Sequence, residues 1–302
     1  MMQELSSLVK RLRKQRGLTQ EELAFRAGID RTTLSKIESG KSMPNNSTLR
    51  LLIEKLGYGL HGFSNYFLSK EEAEWERLDT TIKAHISRAE YDVAATLIDS
   101  IEIDKNSIES NHRRHNVMHY RGQILLHTGK HQEALDMFID AIKTTTPSFN
   151  EQQIKDYHLT SFEVTTINMI ASSYAMCGQI NNAIEIMMSL KENFDENCVD
   201  RDLWGKTYPM LIYHLTRFLC MAKRHKEALP LCDAGRKASV AGYCVYLPYI
   251  ALNEAYCHAE LGNMEESRKQ FLEVYHTFNL YKLPANAEAV KRDAKKYADL
   301  NI

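Results

Sequence analysis

Proline and glycine are scarce: the 302-residue chain holds six prolines and 13 glycines. Such sparse punctuation argues against many short strands joined by tight turns and favours helices. No apolar run approaches the roughly 18 residues of a membrane-spanning helix. The opening residues, Met1-Met2-Gln3-Glu4-Leu5, hold no apolar signal core, so a cytoplasmic location is expected. Cysteine is absent before Cys177, and Cys177, Cys198, Cys220, Cys232, Cys244 and Cys257 are scattered without a Cys-x-x-Cys pair. They read as free, mostly buried thiols, and no metal or cofactor is expected. His115/His119 and His127/His131 are spaced to chelate, but no glutamate lies between them and no third ligand is evident. They read as surface or groove histidines. A P-loop, a nucleophile elbow and a kinase signature are all missing, so no enzyme is expected.

Net charge is equally slight, −1 over the whole chain. The balance conceals a split. Residues 1–70 carry 12 Lys/Arg against six acids, a charge of +6, and the remaining 232 residues carry −7. Opposite charges on two parts of one chain point to different partners for each.

The basic part reads as four short helices. Leu5, Leu8, Val9 and Leu12 mark one helical face, and Gly17 ends that helix after a basic last turn. Thr19 and Glu22 have the spacing of a capping box, with Leu23, Ala24 and Ala27 inward. Gly28 breaks that helix. Asp30 is expected to cap a third, Arg31 to Ser39, with Leu34 and Ile37 inward and Gly40 as the stop. Pro44 and an Asn45-Asn46-Ser47 loop precede a fourth, with Leu49, Leu52, Ile53 and Leu56 inward and Gly57 at its end. Two short helices joined by a glycine turn, with a small Ala24 at the crossing, form a helix-turn-helix.

Its second helix would lie in the major groove, with Arg31, Thr32, Thr33, Ser35 and Lys36 on the reading side. Arg31 or Lys36 suits guanine O6 and N7, and Thr32 suits a thymine methyl. Lys41 and the amides around Asn45 and Asn46 suit phosphates. The run Arg16-Gly17-Leu18-Thr19-Gln20-Glu21-Glu22-Leu23-Ala24, Ala27-Gly28-Ile29 and Leu34-Ser35-Lys36-Ile37-Glu38-Ser39-Gly40-Lys41 resembles the Xre/lambda-repressor class of DNA-binding domains. That resemblance implies a phosphate contact by Gln20 and a buried ion pair between Arg13 and Glu38.

Beyond residue 70 the chain reads as all-helical with a loose repeat. A turn residue is followed five positions later by a small one at Ala89/Ala94, Gly129/Ala134, Gly178/Ala183, Lys223/Ala228 and Gly262/Ser267. The pattern resembles tetratricopeptide repeats, about five degenerate units in a right-handed superhelix. Loops at Thr144–Asn150 and Phe194–Asp202 are expected to absorb the extra length. The first helix of each pair would line the concave face. Asn116, His119, Gln123, His127, Asn168, Ser172, Tyr213, Arg217, Asn253 and Tyr256 are expected there, the amides suited to holding an extended peptide backbone.

The combination resembles the PlcR/Rgg-like peptide-pheromone (RRNPP) regulators of Gram-positive bacteria. The resemblance implies an all-α protein with a helix-turn-helix domain and hinge over 1–62, and a repeat domain for sensing and dimerisation over 63–302. It further implies a cytoplasmic homodimer that binds double-stranded promoter DNA and answers to a short quorum-sensing peptide. A protein partner bound to the repeat scaffold is the alternative. Gly57-Tyr58-Gly59-Leu60-His61-Gly62 is expected to be the hinge.

Overall fold

Apolar residues recur at helical spacing along most of the chain, and the computed structural model forms helices there. It describes residues 2–57, 70–103, 108–197, 201–242 and 244–302. The chain divides into two compact units, Met1–Ala84 and His85–Ile302. The division falls inside one helix, some twenty residues beyond the boundary expected at 62/63. The expected hinge lies outside the described residues except for Gly57.

The first unit opens with α1 (Met2–Gln15), α2 (Gln20–Arg26), α3 (Arg31–Glu38) and α4 (Asn46–Lys55). Leu5, Leu8, Val9, Leu12, Leu23, Ala24, Leu34, Ile37, Leu52, Ile53 and Leu56 form one buried core. The expected capping box is present: the Thr19 hydroxyl accepts from the Glu22 amide, and the Glu22 carboxylate accepts from the Thr19 amide. Gly17, Gly28 and Gly40 all sit at positive φ, each two residues past the last residue of the helix it stops. Two details differ from expectation. Asp30 occupies the N-cap position of α3 but makes no side-chain cap bond. The Asn45-Asn46-Ser47 segment is not a loop, because Asn45 caps α4 by accepting from the Thr48 amide and the helix starts at Asn46.

The helix α5 (Lys70–Ser87) spans the division. After it come α6 (Tyr91–Asp99), α7 (Ile108–His127), α8 (His131–Thr145), α9 (Ser161–Met176), α10 (Ile180–Asn197), α11 (Arg201–Met221), α12 (His225–Ala241), α13 (Leu247–Glu260), α14 (Met264–Leu280) and α15 (Pro284–Ala298). Consecutive helices pack in hairpins. The turn residues Ala89, Gly129, Gly178, Lys223 and Gly262 all adopt left-handed φ, between 58° and 84°. The small residue five positions on is fully buried in every case. A sixth turn that the repeat reading missed, Lys282 at φ 55°, precedes Ala287 at the same spacing and joins α14 to α15. The final helix therefore packs as an unpaired half-repeat on Phe271, Val274 and Phe278 of α14.

The extra chain length is absorbed after α8, where a short 3-10 helix (Glu151–Asp156) is pinned by the Asn193 amide, which donates to the carbonyls of Ile154, Lys155 and Tyr157. Of the second expected loop, Phe194–Asn197 belong to α10 and Arg201 begins α11, while residues 198–200 lie outside the described residues. Among the described residues no helix is long and apolar enough to cross a membrane.

Candidate nucleic-acid interface and groove

Burial of Leu34 and Ile37 fixes which face of α3 turns outward. Arg31, Thr32, Ser35 and Lys36 are exposed on it, and Thr33 is half-buried. Lys41 and Asn45 are also exposed, while nothing is described for the Asn46 side chain. Behind this face, Arg13 and Glu38 form a two-pronged buried ion pair, Nε to Oε1 at 2.6 Å and Nη2 to Oε2 at 2.9 Å. The hydrogen bond that Arg13 donates to Glu38 holds the Arg13 pKa above its ordinary value. Arg13 also donates to the Leu18 carbonyl, and Gln20 donates its amide to Glu38 at 2.8 Å. One carboxylate thus ties α1, the α1–α2 turn and α2 to the end of α3. Gln20, expected at a phosphate, is half-buried with its amide nitrogen committed to this network. A second cationic surface, not singled out in the sequence, lies on α1 around Lys10, Arg11 and Lys14.

In the second unit the residues expected along the groove divide by depth. Arg217 is exposed, and Asn116, Gln123, Ser172, Tyr213 and Tyr256 are half-buried. His119, Asn168 and Asn253 are packed between helices, not presented on an open face. Neighbouring first helices press together closely enough to enclose these polar positions. Asn253 donates to the Tyr213 carbonyl and to the Thr216 hydroxyl, bridging α13 and α11. Ser172 donates to the Asn168 carbonyl within α9. The Asn168 side chain is fully buried, and neither its oxygen nor its nitrogen has a hydrogen-bond partner.

The first histidine pair also departs from expectation. His115 and His119 are core residues, both hydrogen-bonded to the Thr166 hydroxyl at 2.8 and 2.9 Å. His115 bonds Thr145 as well, which in turn donates to Glu163. Burial works against charge on Glu163, but bonds from Thr160, Thr145 and Thr146 outweigh it and hold its pKa low. His127 is exposed and stacks on Tyr91, and His131 is half-buried.

A cavity of about 350 Å³ opens at the C-terminal end of the repeats. Arg217, Asn253 and Tyr256, all expected in the groove, line it together with Cys220, His225 and Glu260. Sequence reasoning missed these last three. They come from three different helices, so no spacing along the chain announces them. The Tyr256 hydroxyl donates to Asp293 of α15, which with burial raises its pKa.

A helix-turn-helix family model matches residues 9–63. No curated protein matches the chain by sequence. Solved structures do match, over nearly the full length. PlcR of Bacillus thuringiensis in complex with the peptide PapR7 and DNA superposes with a TM-score of 0.65 at 15% identity, covering 95% of this chain and 99% of that one. A single cysteine-to-serine variant of the SHP pheromone receptor Rgg2 of Streptococcus dysgalactiae gives 0.59 at 12% identity, covering 97% and 99%. ComR of S. thermophilus in complex with DNA and its signalling peptide ComS gives 0.52 at 11%, covering 98% and 99%. The chain thus carries an Xre-type helix-turn-helix at its N-terminus and shares, along its length, the all-helical fold of PlcR, Rgg2 and ComR.

Proposed function

We propose that this protein is a cytoplasmic transcription regulator that binds promoter DNA as a homodimer and responds to a short signalling peptide. The observation that carries the reading is the full-length likeness to regulators solved with both DNA and peptide. The exposed α3 face agrees with it. Arg31, Thr32, Thr33, Ser35 and Lys36 would meet base edges, and Gln20, Lys41, Asn45 and Asn46 the backbone. The division of labour would follow residues 1–62 and 63–302. The half-buried groove positions and the cavity beside Arg217, Asn253 and Tyr256 would receive the peptide. Asn168 and Asn253 would act from within the wall. A peptide shifts DNA affinity only if it binds the DNA-competent state differently from the other.

The test has two arms. Operator sequences are first selected from a random duplex pool with the full chain. Arg31→Ala should then weaken operator binding about 10- to 100-fold in fluorescence anisotropy, with unchanged helical circular dichroism. Asn168→Ala should leave operator affinity intact and blunt the response to peptides drawn from a library of short hydrophobic sequences. Failure to enrich any duplex over random DNA would overturn the reading.

A further inference from the structure

Three helices bring three thiols and an imidazole to one place. Cys220 lies in the last turn of α11, His225 opens α12, Cys232 follows on α12, and Cys257 sits on α13. The sulfurs of Cys220 and Cys257 are 3.4 Å apart. Donor atoms of Cys220, His225 and Cys257 all lie within 4.8 Å of one another. Cys232, fully buried on α12, lies outside that set and would have to turn its side chain to join it. His225 Nδ1 is buried without a hydrogen-bond partner. A buried imidazole nitrogen left unsatisfied against a cluster of thiols is costly unless something accepts its lone pair.

We propose that Cys220, His225 and Cys257, with Cys232 as the fourth ligand, form a tetrahedral Zn²⁺ site that fastens α11, α12 and α13 together beside the cavity. Three thiolates and one imidazole are a recurrent zinc donor set. Two sulfurs each about 2.3 Å from zinc at a tetrahedral angle lie roughly 3.8 Å apart, and a sulfur and a nitrogen roughly 3.5 Å. The Cys220–Cys257 separation is already near that value, and side-chain rotations close the rest. On binding, three thiol protons leave to solvent and neutral imidazole donates its lone pair, so the loaded site carries one negative charge. Arg217 and Lys223 line the same cavity and offset that charge.

The test uses the purified full-length protein and needs neither DNA nor peptide, so its outcome is independent of the regulatory reading. After incubation with Zn²⁺ and dialysis, elemental analysis should find about one zinc per chain. Cobalt(II) substituted into the protein should give tetrahedral visible bands with thiolate charge transfer. His225→Gln and Cys220→Ser should each weaken zinc binding more than about tenfold in competition with a chromophoric chelator. A mapping measurement covers variants that fail to fold. In the wild-type protein, Cys220, Cys232 and Cys257 should resist alkylation with zinc present and react after chelation. Absence of retained zinc together with an octahedral cobalt spectrum overturns the proposal. So does a Cys220–Cys257 disulfide in metal-free protein purified without reductant, which would mark a redox pair, and so does preferential retention of copper.

Discussion

His115 illustrates how a single side chain links burial to pH. Burial lowers its pKa to about 4, opposed by the nearby Glu163 carboxylate and reinforced by His112. His214 is lowered to about 3 by burial and then by Arg217. The unfolded chain protonates such histidines near pH 6.5, whereas the folded chain does not until far lower. Folding stability is therefore intact above about pH 6.5 and falls as the pH drops toward 4. Between pH 7 and pH 5, His115 alone should cost about 2 kcal/mol. Urea unfolding of wild type and His115→Gln at both values checks this: the variant should lose less stability on acidification, whatever its stability at pH 7. The sequence placed His115 and His119 on a surface or in a groove because an i, i+4 pair says nothing about what packs over it. Thr166 and Phe162 from α9 enclose them, and only the tertiary fold brings α9 there. Arg13 and Glu38 were legible, by contrast, because the helix-turn-helix motif surrounding them is continuous and closely spaced in sequence.

At the scale of helices, the repeat is written in its turns. Each helical hairpin reverses through one left-handed residue, glycine in three of the five expected turns and Ala89 or Lys223 in the others. An L-residue pays a steric penalty of about 1–2 kcal/mol there, and glycine does not. Ala89→Gly should raise stability by about 0.5–1 kcal/mol once the greater freedom of glycine in the unfolded chain is counted. Gly178→Ala should lower it by about 1 kcal/mol, because nothing lies within 4 Å of the added Cβ and only the conformational term remains. Thermal midpoints of the two variants, moving in opposite directions, are the check. These turns could be read from the sequence since turn and buried small residue lie within one helical start. The loop placed at Phe194–Asp202 could not, because Phe194 is buried against neighbouring helices and packing carries α10 through Asn197. The thiol cluster was hidden for a similar reason: its members share no short spacing and meet only when three helices stack.

For the molecule as a whole, the half-repeat α15 is the closing element of the second unit. It covers Phe271, Val274 and Phe278, which are almost wholly inaccessible to solvent. A chain ending at Lys282 uncovers them, each worth about 2 kcal/mol of burial. Size-exclusion chromatography should show that truncated chain aggregating, while the full chain with Val290→Ala keeps the elution volume of the unaltered chain. Helical repeats hold one another only through nearest neighbours, so whatever ties two of them together is felt along the stack. The cavity beside Cys220 and Asn253 is walled by residues of α11, α12, α13 and α15. Anything seated there clamps four helices to one another, and its arrival would be felt first as a slowing of amide exchange in those helices that fades with each neighbour away from the cavity.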